Sequence, residues 1–287
     1  MHAKRKPRQK PTSLSRGRPP TVRKATTTLS SKATRTLIRS HHQLQKALQD
    51  AERAGDGQAA ATVKQEIERL GGLERYQQAS LQGQAKDRGG DTSKLLLEWL
   101  QDRSDHDEKP LRMLEVGALS TSNACSRSKM FEVTRIDLHS QTAGIEQQDF
   151  MVRPLPSSDR ERYNIISLSL VVNYVPSAEG RGEMLRRTRN FLIVSQDQDT
   201  VKDITWIPAL FLVLPAPCVT NSRYMNEDRL KEIMHSLGYT MIRRKLSAKL
   251  VYYLWQLVTP GDTPKQQFPK IEVNQGRDRN NFSIILG

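Results

Sequence analysis

The chain has 287 residues, 36% of them hydrophobic, and a formal net charge of +14 at pH 7. This length leaves room for one domain of about 180 to 200 residues with extensions. No stretch approaches the ~20 consecutive apolar residues that a membrane-spanning helix needs. The two cysteines, Cys125 and Cys218, are too few for a metal cluster or a disulfide framework. We therefore expect a soluble intracellular protein without a metal site.

The positive charge is concentrated at the start of the chain. Residues 1–49 contain thirteen Lys or Arg residues and no acid, which leaves about +1 for the remainder. Residues 1–39 mix these cations with Pro, Ser and Thr, so we predict a disordered basic arm. No apolar core follows the charges, which excludes a secretory signal. The composition is typical of an RNA-binding arm and a nuclear or nucleolar address, or of a solubilising tail without a defined partner.

The next stretch, residues 40–90, has the apolar spacing of a helical hairpin. Apolar residues recur at intervals of three, four or seven on both sides of a turn at Gly55-Asp56-Gly57. We assign the following residues, 91–260, to an α/β domain and residues 261–287 to a C-terminal tail. The sequence leaves open whether Phe282 to Leu286 form a short strand.

The centre of the α/β domain reads strand, turn, helix, strand. An apolar run from Leu111 to Val116 stops at Gly117, and a second strand from Phe131 ends at Asp137. Twenty residues separate Gly117 from Asp137, about the spacing that places an acid opposite ribose hydroxyls. A plain β-α-β crossover with a turning glycine is the structural alternative. The loop lacks the three glycines of a dinucleotide fingerprint, so pyrophosphate binding is not expected.

A single glycine is enough for a nucleoside that carries an amino acid, because no pyrophosphate must be held by the backbone. Glu115, Gly117, Asp137 and the pair Asp149-Phe150 together resemble the S-adenosylmethionine-binding half of class I, Rossmann-like methyltransferases. The resemblance implies a seven-stranded sheet with one antiparallel strand and S-adenosylmethionine as cofactor. It places the methionine end near Glu115 and Gly117, the ribose at Asp137, and the adenine near Asp149 and Phe150. Adjacent cofactor contacts are expected at Leu138, Ser167 and Leu168.

Four longer segments make the resemblance more specific. They are LEVGALSTSN, FEVTRIDLHSQ, YNIISLSLVVNYVP and LFLVLPAPCVTNSRYM. They are similar to the fungal nucleolar family that methylates N1 of an adenine in 25S ribosomal RNA. That similarity implies a ribosomal RNA partner, as large-subunit precursor or pre-ribosome, and a role in ribosome biogenesis. An animal branch of the family is a sensor of S-adenosylmethionine, so the alternative is a non-catalytic regulatory protein that acts through a protein partner.

Residues that handle the base are expected where strand four ends. The apolar run from Tyr163 to Val172 predicts that strand, and Asn173 and Tyr174 follow it. Asn173 would hydrogen-bond the edge of an extruded adenine, and Tyr174 would stack on it. In the alternative interpretation, Asn173 caps the helix that begins near Ser177 and Tyr174 packs.

Further polar residues follow on the substrate side of the predicted sheet. The helix Ala178 to Leu192 carries four arginines, which form either a phosphate patch or a solvated face. After strand five, which stops at Pro215, the residues Asn221, Arg223 and Tyr224 suit a base edge, a phosphate and a stacked ring. Tyr239 to Leu246 and Val251 to Leu257 are predicted to form the final antiparallel pair.

Overall fold

The computed structural model describes residues 31–72, 75, 90–101, 109–140, 142–193, 207–258 and 266–287. Its centre is one seven-stranded sheet with the order β3-β2-β1-β4-β5-β7-β6. Only β7 runs against its neighbours, and the remaining adjacent pairs are parallel. The predicted α/β fold with one antiparallel strand is therefore confirmed. The strands are β1 Leu111–Val116, β2 Phe131–Asp137, β3 Glu146–Gln147, β4 Ile165–Ser169, β5 Ala209–Pro215, β6 Tyr239–Leu246 and β7 Leu250–Leu257.

Seven α-helices lie among the described residues. None of them combines the length and the apolar character needed to cross a bilayer. The last two helices follow β5, and Asn226 caps the final one by accepting a hydrogen bond from the Arg229 backbone N–H at 2.8 Å. The helices are α1 Ser31–Ala54, α2 Gly57–Arg69, α3 Ser93–Trp99, α4 Ala124–Arg127, α5 Ala178–Phe191, α6 Pro217–Thr220 and α7 Glu227–Ser236.

The central strands are buried on both faces. Along β5, Leu210 and Leu212 join one apolar cluster, while Phe211 and Val213 join the cluster on the opposite face. This alternation follows from the two-residue period of a strand, and it explains why β5 is almost continuously apolar in sequence. A sheet covered on both sides leaves the carboxyl ends of its parallel strands as the place where a ligand can bind.

Two domain boundaries differ from those predicted. α1 begins at Ser31, so residues 31–39 belong to the helical hairpin and not to the arm. No proline follows Pro20 in this stretch, and its residues are compatible with a helix. Residues 1–30 of the predicted arm lie outside the described residues. In the hairpin turn, the Asp56 side chain accepts a hydrogen bond from the Ala59 backbone N–H at 2.9 Å and so caps α2.

The end of the chain is part of the domain and not a separate tail. Residues 266–287, called the C-terminal segment below, place Phe268, Ile284 and Leu286 in the main apolar cluster. Phe268 pairs with Leu286 in an antiparallel bridge. The polar residues 274–279 suggest a solvent-exposed tail, but the apolar residues before and after them are buried.

Strand four is shorter than predicted. Pairing ends at Ser169, and Leu170 then adopts the left-handed conformation with φ 59°. A non-glycine residue rarely has a positive φ, so the sharp change of direction is imposed by surrounding contacts. The Leu170 backbone N–H donates to the Val213 carbonyl oxygen at 2.9 Å. The turn delivers Val171 and the 3₁₀ turn Val172–Tyr174 to the carboxyl edge of the sheet.

Candidate active site

Gly117 follows β1 and lies against Val171, which follows β4. Its φ is +72°, and a Cβ atom added there would lie 2.7 Å from Cγ2 of Val171. The backbone N–H groups of Gly117 and Ala118 both donate to the Ile136 carbonyl oxygen, at 2.9 and 3.1 Å. Glycine is therefore required here for two reasons: the left-handed backbone and the contact with Val171. The predicted turn after β1 is confirmed, and the reason for its glycine is visible.

Glu115 presents an unpaired acceptor beside that turn. Asn123 Nδ2 donates to Glu115 Oε1 at 2.6 Å, whereas Oε2 is buried and accepts no hydrogen bond from any described residue. Burial raises the pKa of the Glu115 carboxyl, and the Asn123 hydrogen bond and the charge of Arg135 oppose this effect. A buried carboxylate oxygen without a partner is costly unless a donor arrives. A ligand ammonium group would supply that donor.

Asp137 ends β2 beside the Gly117 turn, because Val116 pairs with Ile136 in the parallel register. Its Oδ1 accepts a hydrogen bond from the His139 backbone N–H at 2.9 Å. This bond fixes the carboxylate orientation and leaves Oδ2 available for a hydroxyl donor. The neighbouring Leu138 side chain is 53% exposed, so it can cover a ligand from the solvent side. This arrangement suits a ribose with a hydrophobic cover.

The side chains of Asp149 and Phe150, both predicted to lie near the adenine, make contacts within the protein. Asp149 lies beyond β3, and its Oδ1 accepts from the Met151 backbone N–H at 2.8 Å. The Phe150 ring is buried against Phe191, with 5.3 Å between ring centroids. A nucleoside could therefore meet Phe150 only through its backbone. The sequence pattern alone does not show whether the Phe150 ring contacts a ligand or packs in the core.

Ser167 and Leu168 lie within β4 and are buried, at 4% and 0% exposure. Ser167 pairs with Glu115 in the parallel register, so it lies beside the unpaired carboxylate. The Leu168 side chain belongs to the main apolar cluster, so it supports the site from within the core. The residues that shape this end of β4 are Leu170 and Val171, which sequence reasoning missed. The Gly-to-Val171 contact links segments 54 positions apart and has no local signal.

Asn173 lies in the 3₁₀ turn that follows β4. It does not cap α5, because Ser177 Oγ accepts the capping hydrogen bond from the Gly180 backbone N–H at 3.0 Å. The Asn173 Oδ1 atom is buried and has no hydrogen-bond partner among the described residues. Tyr174 lies next to it and is partly buried. The capping interpretation of Asn173 is therefore wrong, and its buried amide oxygen is an acceptor without a partner among the described residues.

The arginines of α5 hold the loops around it in place. Arg181 donates from Nε to the Val175 carbonyl oxygen at 2.8 Å and from Nη2 to that of Pro176 at 3.1 Å. Arg187 donates from Nε to the Phe150 carbonyl oxygen at 2.8 Å. These two side chains are committed to backbone oxygens, so neither the predicted phosphate patch nor a solvated face describes them. Arg186, by contrast, is partly exposed and pairs with Glu183 at 2.6 Å, which fits the solvated face. Arg181 instead fixes the loop that carries Asn173.

The predicted substrate residues after β5 lie at the same edge of the sheet, where the C-terminal segment contacts them. Asn221 Nδ2 donates to the Asp278 carbonyl oxygen at 3.3 Å, and Arg223 Nη2 donates to that of Gly276 at 3.1 Å. The Tyr224 ring has Lys270 Nζ 4.3 Å from its centroid. Asn221, Arg223 and Tyr224 lie together, as the sequence predicts. The sequence prediction missed their partners because these are more than 40 positions away.

The helical hairpin also reaches the nucleoside side of the site. His41 of α1 is 9% exposed. Burial lowers the pKa of its imidazole, and the nearby His139 lowers it further. His139 is two residues beyond Asp137, so α1 lies close to the loop that carries the predicted ribose acid. No group of three His, Cys, Asp or Glu side chains suited to a metal occurs in the part of the chain that the structure describes.

Comparison with known proteins shows the family of the chain. The family model described as "Bmt2: 25S rRNA (adenine(2142)-N(1))-methyltransferase" matches residues 61–284, which is more than half of the chain. The chain belongs to this family. The Bmt2 match contains every predicted site residue from Glu115 to Tyr224 and most of the C-terminal segment, and it excludes the basic arm.

Two relatives show how much of the chain is shared. A Saccharomyces cerevisiae protein named 25S rRNA (adenine(2142)-N(1))-methyltransferase is 42% identical over 226 residues, which cover 78% of this chain and 63% of the relative. A Schizosaccharomyces pombe protein named 25S rRNA adenine-N(1) methyltransferase is 38% identical over 234 residues, covering 77% of this chain and 79% of the relative. The chain thus matches just under two thirds of the length of the S. cerevisiae relative.

Proposed function

We propose that the chain is an S-adenosylmethionine-dependent methyltransferase that modifies N1 of an adenine in 25S ribosomal RNA. The observation that carries the proposal is the arrangement around Gly117. There, an unpaired buried Glu115 oxygen, a glycine that admits no side chain and the oriented Asp137 carboxylate lie at adjoining strand ends. Membership of the Bmt2 family and the names of the two yeast relatives supply the substrate.

The residues present fit the cofactor at three points. Glu115 Oε2 would accept from the ammonium of the methionine part, in a charge-assisted hydrogen bond worth about 1.5 to 3 kcal/mol. The bare backbone at Gly117 leaves room for the chain that joins the amino acid to the nucleoside. Asp137 Oδ2 would accept from a ribose hydroxyl. When bound, S-adenosylmethionine supplies an electrophilic methyl group on a sulfonium.

Adenine N1 has an in-plane lone pair and no proton, so its methylation needs no general base. A new N1–C bond forms as the C–S bond breaks, and positive charge moves from sulfur to the adenine ring. The enzyme must therefore mainly position the base. We assign this task to Asn173, whose buried Oδ1 would accept a hydrogen bond from the exocyclic amino group. That bond becomes stronger as the ring becomes positive, so it favours the transition state over the ground state.

We also propose that the basic arm is an RNA-affinity and nucleolar element, and that the substrate is a large-subunit precursor or pre-ribosome. The nine Lys and Arg residues of residues 1–30, with no acid among them, support this assignment, because a phosphate-rich partner would release counterions on binding them. A regulatory protein that binds only a protein partner has little use for such an arm. Tyr174 is assigned as the stacking partner of the extruded base.

The test is nucleoside mass spectrometry of 25S ribosomal RNA. The RNA comes from cells in which the gene is deleted and replaced by one variant at a time. Wild-type protein should restore N1-methyladenosine, whereas Gly117→Arg should not, because the arginine would occupy the nucleoside site. Gly55→Arg is the matched control: its φ is +70°, and an added Cβ meets nothing within 4 Å. Restoration by Gly55→Arg but not by Gly117→Arg supports the proposal.

The opposite result is equally clear. If N1-methyladenosine in 25S ribosomal RNA is the same with and without the gene, the enzyme proposal is refuted. Association with a protein complex that depends on S-adenosylmethionine would then identify the chain as a sensor.

A further inference from the structure

The C-terminal segment connects the two loops to which substrate roles were assigned. Arg181 Nη1 donates to the Ser283 carbonyl oxygen at 2.8 Å, and the same side chain holds Val175 beside Asn173. Three residues earlier in the segment, Asn280 Nδ2 donates to the Asn221 carbonyl oxygen at 2.8 Å. Three residues of extended chain span at most about 11 Å. The segment therefore brings the two loops within the length of a few stacked nucleotides, at about 3.4 Å each.

The position of the segment on α5 is fixed by a glycine. A Cβ atom at Gly182 would overlap the Ile285 carbonyl oxygen, so no other residue allows this approach. The Ile285 backbone N–H donates to the Ala178 carbonyl oxygen at 3.0 Å, and Arg181 lies over the Phe282 ring at 4.8 Å. These contacts make the segment a fixed wall of the substrate side.

The wall and the loop after β5 enclose a depression of about 320 Å³, called the C-terminal depression here. It is lined by Arg223, Tyr224, Glu272, Gly276 and Arg277. Lys270 adds a further cation over the Tyr224 ring, and Arg277 is exposed and makes no ion pair with any described residue. Glu272 is the only acid in the lining. An aromatic ring among three cations is the combination that proteins use to stack a base and neutralise its phosphate.

We propose that the C-terminal depression binds a single-stranded RNA nucleotide that flanks the target adenine. In this arrangement, Tyr224 stacks on the base, Arg277 contacts its phosphate, and Lys270 moves from the ring to the phosphate backbone. Arg223 stays hydrogen-bonded to the Gly276 carbonyl oxygen and to Asn281 Oδ1, and its charge attracts the phosphate without a direct contact. An acidic peptide would also meet the cations, but it would leave the aromatic ring without a stacking partner. The inference rests on the proposed function and adds a second contact point for the RNA.

The experiment measures binding of the full chain, saturated with S-adenosylhomocysteine, to a single-stranded RNA of about 12 nucleotides that contains the target adenine. Arg277→Ala should weaken binding and reduce the slope of log affinity against log salt by about 0.7, the value for one phosphate contact on a single strand. Tyr224→Ala should weaken binding roughly 5- to 150-fold with an unchanged slope, since it removes stacking and no charge. Lys129→Ala is the matched control, because Lys129 is exposed and precedes β2 at the opposite edge of the sheet.

Gly182→Ala provides a second line of evidence through the position of the wall. It should weaken RNA binding and leave affinity for S-adenosylmethionine unchanged, because the hydrogen bonds of the Glu115 and Asp137 side chains are to Asn123 and His139 and not to the C-terminal segment. The surface variants Arg277→Ala and Lys270→Ala keep the test valid if Gly182→Ala does not fold.

The outcomes separate the two proposals. A wild-type protein that methylates the RNA while Tyr224→Ala, Lys270→Ala and Arg277→Ala bind as tightly as Lys129→Ala overturns the inference and leaves the proposed function intact. A wild-type protein that methylates no RNA overturns the proposed function and the inference with it. Binding of an acidic peptide in place of RNA, lost in the same variants, also overturns the inference.

Discussion

Replacement of Gly117 by alanine isolates the two constraints at the centre of the site. The left-handed backbone costs an L-residue about 1 to 2 kcal/mol. The new Cβ would lie 2.7 Å from Val171 Cγ2, and such overpacking typically costs a further 1 to 3 kcal/mol. The reduced freedom of the unfolded chain returns about 0.4 to 1 kcal/mol. We therefore expect Gly117→Ala to lower the free energy of unfolding by about 1 to 4.5 kcal/mol.

The assay is thermal and urea unfolding, with Gly55→Ala as the control that carries the backbone penalty alone. Gly55 has φ +70° and no atom within 4 Å of an added Cβ, so its loss should be about 1 kcal/mol. Adding Val171→Ala to Gly117→Ala should recover part of the difference, because it removes the clashing methyl group. Equal losses for Gly117→Ala and Gly55→Ala, with no effect of the second substitution, would refute the contact with Val171 as a constraint.

Two further predictions concern charge. Glu115→Gln should weaken S-adenosylmethionine binding about 10- to 150-fold by calorimetry. Because the Glu115 pKa is raised in the folded state, the wild type should lose stability as pH rises from about 4.5 through that pKa. Glu115→Gln should not show this loss, and parallel pH profiles of the two proteins would contradict the prediction. His41 has a lowered pKa, so protection of α1 in hydrogen exchange should decrease as pH falls below 6.5, and His41→Gln should abolish that dependence.

The sheet could be predicted from sequence because its signals are local. β1 and β5 are apolar runs that stop at Gly117 and at Pro215, and the two strands of the final antiparallel pair are joined by the short turn Ser247-Ala248-Lys249. Helix α7 has its cap at Asn226 and its stop at Gly238, where φ is +80°. Each of these features is fixed by residues within a few positions, so the pattern is sufficient to locate them.

Three of the predicted cofactor residues could be located for the same reason, since Glu115 and Gly117 lie at the end of one strand and Asp137 at the end of the next. What the sequence could not show is which side chains face inward. Phe150 is predicted as a nucleoside contact and is a core ring, while Leu170 and Val171 are unremarkable in sequence and shape the site. These outcomes depend on packing between distant segments, and no local pattern encodes them.

The two halves of the site are therefore built in different ways, and this has a functional consequence. The cofactor half is fixed by adjoining strand ends, whereas the substrate half depends on hydrogen bonds between residues more than 50 positions apart, such as Arg181 with Ser283 and Ser222 with Phe282. The C-terminal segment buries Phe268, Ile284 and Leu286 but joins the domain through isolated bridges and not through a strand ladder, so we expect it to open at lower free energy than the central sheet. Partial loosening of the C-terminal segment should thus impair recognition of RNA before it impairs binding of S-adenosylmethionine. A chain that retains the cofactor half and loses the substrate half would still bind the cofactor, which gives a physical route from a methyltransferase to a sensor within one fold.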